Sequence, residues 1–310
     1  MPSYKGLHSQ IQSNNRRSIL LLIGFPSVII GAIWLTLFFL NDMHWDAPAE
    51  DAFIKVLPIA LGAIALWFLI AFTFHSKMIQ YAVNSKPLER KENMRVYNLV
   101  ENLCMSVGMK MPKVYIMETE ALNAFASGIN DKTYAVTLTR GIINKLDDAE
   151  LEGVIAHELA HIRNKDVRLL IVSIIFVGIV GFIMNVAFRS VLWGGGGNRR
   201  KQDGRLMLII LLVSALAYLL TIIFRFALSR KREYLADAGA AEMTKRPEAL
   251  ASALRKISGN STVDDVKSDD VKSMFIENNP KEKKSAAVGI SGIFATHPPI
   301  EKRISFLEKL

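Results

Sequence analysis

Apolar and polar positions follow three different periods along this chain. The longest are four almost unbroken apolar runs, 18–40, 57–74, 169–192 and 206–228, each near or above the roughly 20 residues that cross a bilayer core. The first two hold no charged residue and read as spans. The first run is long and no small-residue cleavage site clearly follows it, so it is expected to be an uncleaved anchor, not a signal peptide. Elsewhere the helical period appears: Leu88, Val96, Leu99, Val100 and Leu103 predict a helix over 87–107, with Gly108 as its stop. Leu151, Val154, Ile155 and Leu159 predict another, opened by Asp147 and Asp148 with Glu150 completing a capping pattern. Residues 113–117 and 133–138 are short β-rich runs, with Asn130-Asp131 as a turn before the second. Pro298 and Pro299 open a last helix carrying Ile300, Ile304, Phe306, Leu307 and Leu310. Residues 259–285, rich in Ser, Asp, Lys and Asn, are expected to be a mobile, solvated insertion. The fold class expected is an α+β membrane protein, mostly helical, with a small β-sheet and four membrane-inserted helices.

Charge gives these runs an orientation. Lys5, Arg16 and Arg17 precede the first span without an acid, whereas Asp42, Asp46, Glu50 and Asp51 follow it against Lys55 alone. Lys77, Lys86, Arg90, Lys91 and Arg95 follow the second span. By the positive-inside rule the expected order is a cytoplasmic tail at 1–17, a transmembrane hairpin at 18–75, a cytoplasmic part at 76–166, a second hairpin at 167–228 and a second cytoplasmic part at 229–310. The second hairpin fits less well, because its tip carries Arg199, Arg200, Lys201 and Arg205 against Asp203. Two full crossings, or a hairpin that only partly enters the bilayer, both return the chain to the same side. With 51% hydrophobic residues the composition is that of a membrane protein, and the net charge of +9 needs no nucleic-acid partner.

The chemistry begins at His157-Glu158-Leu159-Ala160-His161. Residues four apart stack on one helical face, so both imidazoles can reach one ion while Glu158 leans toward it as a base. Zinc suits such nitrogens. A site with three protein ligands leaves a position for water, whose pKa falls from about 15.7 to roughly 7, within reach of a carboxylate base. A third ligand must come from another helix. Glu233 and Asp237, one turn apart, offer either a ligand with an orienting acid or an exposed acid pair balancing Arg230, Lys231 and Arg232. Asn123–Ser127 is either an edge strand able to pair with extended substrate or an ordinary loop. His297 could donate to a developing oxyanion or serve structurally. Cys104, the only cysteine, allows no intrachain disulfide and reads as core.

The run from His157 to Asp166, followed by Glu233-Tyr234-Leu235-Ala236-Asp237, resembles the M48 family of zinc metallopeptidases, and in particular its bacterial membrane proteases. Asn123–Gly128 is similar to the family's segment ahead of the active site, and Thr296-His297-Pro298-Pro299 to its C-terminal His-Pro element. The resemblance implies a zincin-like catalytic domain with one zinc ion per chain, Glu233 as third ligand and Glu158 as the catalytic residue. It also implies proteolysis of misfolded membrane proteins at the cytoplasmic face of a bacterial inner membrane, in stress response and quality control. Polypeptide substrates and the lipid bilayer are the partners expected, and no oligomeric state is indicated. Two other readings stand beside it. One is a prenyl-protein protease of the same family, which would need a larger chamber with more membrane helices than four. The other is a noncatalytic scaffold with a structural zinc, disfavoured because structural sites usually close with four protein ligands.

Overall fold

The computed structural model describes residues 7–41, 49–176, 231–258, 274–276 and 298–310, with a few further positions between 178 and 218. Two compact units emerge, one of Arg16–Phe74 and Val172–Ala227, the other of Met1–Asn15, His75–Ile171 and Leu228–Leu310.

In the first unit the apolar runs form long helices, α1 (Leu7–Asn41) and α2 (Ala49–Ala82). Within them Ser18–Phe38 and Phe53–Ala82 are long and apolar enough to span a membrane. The 21 residues of the first reach about 31 Å at about 1.5 Å per residue, close to the hydrocarbon thickness. Only 11–12% of each apolar window is buried, so these are not core helices: Leu20, Ile23, Ile59 and Leu69 point outward. Such surfaces suit lipid. The few hydroxyls are satisfied within the helices, Ser27 donating to the Ile23 carbonyl at 2.9 Å, Thr36 to Ala32 at 2.8 Å and Thr73 to Leu69 at 2.7 Å. Inside, Phe176 stacks on Phe25 with ring centroids 4.6 Å apart and on Phe68 at 5.4 Å. The second expected hairpin, beyond residue 176, falls almost wholly outside the described residues.

The second unit carries a four-stranded sheet, β1 (Ser85–Pro87), β2 (Lys113–Met117), β3 (Ala124–Ser127) and β4 (Ala135–Thr139), in the order β1-β2-β4-β3. β2 runs parallel to β4, and the outer pairs are antiparallel. β1 was not expected. It takes Pro87 out of the predicted helix 87–107, which begins instead at Met94 because the Asn93 side chain caps it by accepting from the Val96 N–H. That helix is α3 (Met94–Ser106), and Gly108 follows it with φ +63°. Of the two readings of 123–127, a loop or an exposed edge strand, β3 is a strand at the sheet edge, but all four of its residues are buried.

After the short α4 (Arg140–Lys145) comes α5 (Asp148–Arg163), which holds the histidine pair. Its start is a full capping box: Asp147 accepts from the Glu150 N–H, and Glu150 accepts from the Asp147 N–H. Residues 166–176 are helical (α6), followed by α7 (Lys231–Thr244), α8 (Pro247–Ile257) and α9 (Ile300–Leu307). The packing of α7 and α8 on α5 depends on two glycines. A Cβ on Gly239 would lie 3.0 Å from Ala160 Cβ, and one on Gly153 would lie 3.1 Å from the Leu250 backbone. Ala156 on α5 and Ala236 and Ala240 on α7 are likewise small and fully buried. Two bonds onto Glu150, from Ser252 at 2.7 Å and Lys256 at 2.6 Å, fasten α8 to α5.

Burial alone would raise the Glu150 carboxyl, but Lys256, Ser252 and the Asp147 N–H outweigh it and hold the group below its ordinary value of 4.5. A carboxylate with a depressed folded pKa stabilises above its unfolded pKa and loses that contribution as pH falls through the folded value. Glu150→Gln should therefore lower stability by about 1 kcal/mol at neutral pH. The gap from wild type should shrink below pH 4.5, as read by thermal unfolding in detergent across pH.

Candidate metal centre

The HExxH helix is buried on nearly every side, which is why two histidines sit there without being solvated. His157 is fully buried, and His161 and Glu158 border a small cavity with Ala126, Asp166, Arg232, Glu233 and Met274. His157, His161 and Glu233 each turn one ligand atom into a group whose members lie within 4.8 Å of one another. The two Nε2 atoms are 3.1 Å apart, and each is 3.7 Å from a different Glu233 oxygen. Donors around a tetrahedral ion with bonds of about 2.0–2.1 Å stand about 3.3–3.5 Å apart, so these spacings fit one ion with modest adjustment.

The outer nitrogens are held as the inner ones require. His157 Nδ1 faces Asp237 Oδ1 at 3.0 Å, and His161 Nδ1 faces Asp166 Oδ2 at 3.2 Å. A proton on each Nδ1 leaves each Nε2 lone pair pointing inward. Burial depresses the His161 imidazole, but Glu233 and Asp166 outweigh it and push its pKa up to about 10. The acids around this pair thus demand a positive charge, which a metal ion supplies without protonating its ligands. Burial, against the pull of His157 and His161, raises the Glu158 carboxyl above the ordinary range.

Sequence reasoning brought four of these residues together: His157, Glu158, His161 and Glu233. Asp237 reaches the site through His157. The exposed acid pair is excluded, since Glu233 and Asp237 are both buried. Asn123 stands at the entry to β3, its side chain accepting from the Ala124 N–H at 3.0 Å and its own N–H donating to Thr139 at 3.0 Å. His297 lies outside the described residues.

Two residues were missed. Asp166 lay inside the quoted motif run but carried no assigned role. Arg303, fully buried, donates from Nε to Asp237 Oδ2 at 3.0 Å and from Nη2 to Oδ1 at 2.7 Å, and its Nη1 is 3.8 Å from Glu233. Burial would raise the Asp237 carboxyl, but the Arg303 charge together with the hydrogen bonds from His157 and Arg303 outweighs it and keeps that group below its usual range. A signal existed: Arg303 falls three residues after Ile300 and four before Leu307, inside the buried stripe of its helix. Arg232, read as one of the charges balancing an exposed acid pair, is buried and lines the cavity instead.

Fold and site together define a metal-dependent protease carried on apolar membrane helices. The profile of peptidase family M48 matches residues 90–310, and the chain belongs to that family. A "Protease HtpX homolog" of Bacteroides fragilis is 51% identical over 319 residues, spanning 99% of both chains. Another of that name, from Listeria monocytogenes, is 38% identical over 318 residues, spanning 98% of this chain and 100% of its own. The crystal structure of S. mikatae Ste24p aligns with a TM-score of 0.48 at 18% identity, over 96% of this chain and 66% of that one. The protein is a membrane-bound metalloprotease.

Removing the acid behind His157 should loosen the ion without dispersing its ligands. Asp237→Ala is expected to weaken metal retention ten- to a hundredfold, measured by competition with a chromogenic chelator. Unchanged retention would reduce Asp237 to a packing role.

Proposed function

We propose that this protein is a zinc-dependent endopeptidase of the bacterial inner membrane. In this reading it is multi-pass, its active site faces the cytoplasm, and it cleaves misfolded or damaged membrane proteins. The observation that carries the reading is the convergence of His157, His161 and Glu233 on one point, with Glu158 on the same buried cavity. Two imidazoles and one carboxylate are a donor set of catalytic zinc sites, and the spacing of the three atoms suits a tetrahedral ion.

Zinc, when bound, acts as a Lewis acid toward a peptide carbonyl and brings the ionisation of water into the neutral range. The remaining work falls to the side chains. Glu158 takes the proton of the attacking water on its carboxylate and passes it to the leaving amine; its raised pKa suits a group that must carry a proton between the two steps. Asp237 and Asp166 hold the rings in orientation from behind, and Arg303 holds Asp237. Ala124–Ser127 is the strand along which an extended substrate lies, giving affinity through its backbone with little demand on sequence. Asn123 shapes the start of that strand, and His297 serves as a donor to the developing oxyanion.

Positive charge concentrated in 1–17 and 77–95, with acids in 42–51, supports the cytoplasmic assignment of the catalytic parts 76–166 and 229–310. Membrane hairpins at 18–75 and 167–228 complete the arrangement. Substrates drawn from the bilayer's own proteins accord with a protease that never leaves the membrane, and the relatives named as proteases accord with polypeptide cleavage.

Detergent-purified, zinc-loaded wild type should cleave an unfolded model protein. Glu158→Gln should lose 10²- to 10⁴-fold in kcat while keeping its metal, and Glu233→Ala should lose the metal as well. Full cleavage by the Gln variant would defeat the assignment of the base. For orientation, a cysteine at Lys91 should resist a membrane-impermeant maleimide in intact cells and one at Asp51 should react; the reverse pattern would place the site outside.

A further inference from the structure

The edge strand on which substrate is expected to lie is already occupied. Asn123 turns its backbone toward β4, since its carbonyl accepts from the Thr139 N–H at 3.1 Å. Alternation along a strand then turns Ala124 and Ala126 to the open edge. On that edge the Ala124 carbonyl accepts from the Ile276 N–H at 2.9 Å. The carbonyl of Ile276 accepts in turn from Arg303 Nη1 at 3.1 Å, the same guanidinium that grips Asp237. Phe275 meets Phe125 edge-on, with ring centroids 5.2 Å apart and planes at 81°. Met274 forms part of the wall of the metal-centre cavity. All three residues are buried although they belong to neither helix nor strand.

Two consequences follow for entry. Ala126, two residues along the strand from Ala124 and so about 7 Å away, borders the cavity shared by Glu158, His161 and Glu233. A polypeptide reaching the metal along this edge therefore passes the place that Ile276 holds. The cavity itself is small, with Met274 forming part of its wall beside Glu158, His161 and Glu233.

We infer that Met274–Ile276 sits where an extended substrate sits, closing the site at rest, and that Phe125 selects substrates bringing a large apolar side chain to the position of Phe275. The inference rests on the peptidase reading and deepens it. Substrates compete with the chain's own segment by offering the same backbone donor and a comparable ring or aliphatic side chain. Unfolded stretches of apolar proteins meet both demands, whereas a polar extended peptide meets only the first. Arg303 links the two states, because the guanidinium that positions Asp237 also holds the closing segment.

The test uses the full-length, zinc-loaded protein in detergent with an unfolded model substrate. Phe275→Ser and Ile276→Pro, the second lacking the N–H given to Ala124, should raise kcat/KM at least fivefold, mainly through a lower KM. An unchanged or lower kcat/KM, in variants that keep their zinc and melt cooperatively, would overturn the inference. A second measurement needs no variant. A synthetic peptide of residues 271–279 should inhibit wild type competitively, and the same peptide with Ser in place of Phe should be at least tenfold weaker. Absent or equal inhibition by the two peptides overturns the inference. Wild type that cleaves nothing takes the peptidase reading away and this inference with it, whereas active wild type with unresponsive variants removes this inference alone.

Discussion

Three ligand atoms drawn from two helices share one ion here because those helices pack closely, Ala160 against Gly239, where an added Cβ would meet its neighbour at 3.0 Å. A larger side chain at Gly239 would press on Ala160 and push the helix that carries Glu233 away from the imidazoles. The Ala160–Gly239 approach, with the small buried residues Ala156, Ala236 and Ala240 on the same helices, therefore bears on the geometry of the centre as the ligands do. The capping box of α5 and the Glu150 bonds to α8 fix the other end of the same helix. With both ends held, the histidines present their inner nitrogens 3.1 Å apart.

Charge is the second constraint. Glu158, Glu233, Asp237 and Asp166 crowd two imidazoles in a nearly dry space, and such a gathering is stable only with compensating positive charge. Arg303 provides part of it from within the protein, and the remainder is what a divalent ion brings. The same arrangement separates the roles of the acids. Asp237 is kept ionised by the guanidinium, while burial makes Glu158 easier to protonate. One small pocket thus holds a carboxylate that orients and another that can carry a proton.

The membrane helices solve a simpler problem. Their outward residues are apolar, and Ser27, Thr36 and Thr73 return their hydroxyls to carbonyls one turn back, leaving little for water to do. They hold the protease where apolar polypeptide is plentiful. That setting gives a closed edge strand a physical purpose, since an open one in this environment would pair with any unfolded chain.

Much of this was legible from residue order. Apolar run length determined α1 and α2, because spanning lipid depends on local composition alone. The capping pattern at Asp147 and Glu150 and the His157–His161 spacing determined the catalytic helix and its two ligands, because helix geometry is local. Glu233 and Asp237 could be paired by their own spacing, but whether they were buried at the ion or solvated was not a local matter. Only the packing of α7 on α5 decided it. Arg303, about 140 residues from the histidines, and Ile276, on the edge of β3, left no readable trace of their partners. Their roles come from contacts between segments far apart in the chain, and local periodicity carries no information about which distant residues will meet.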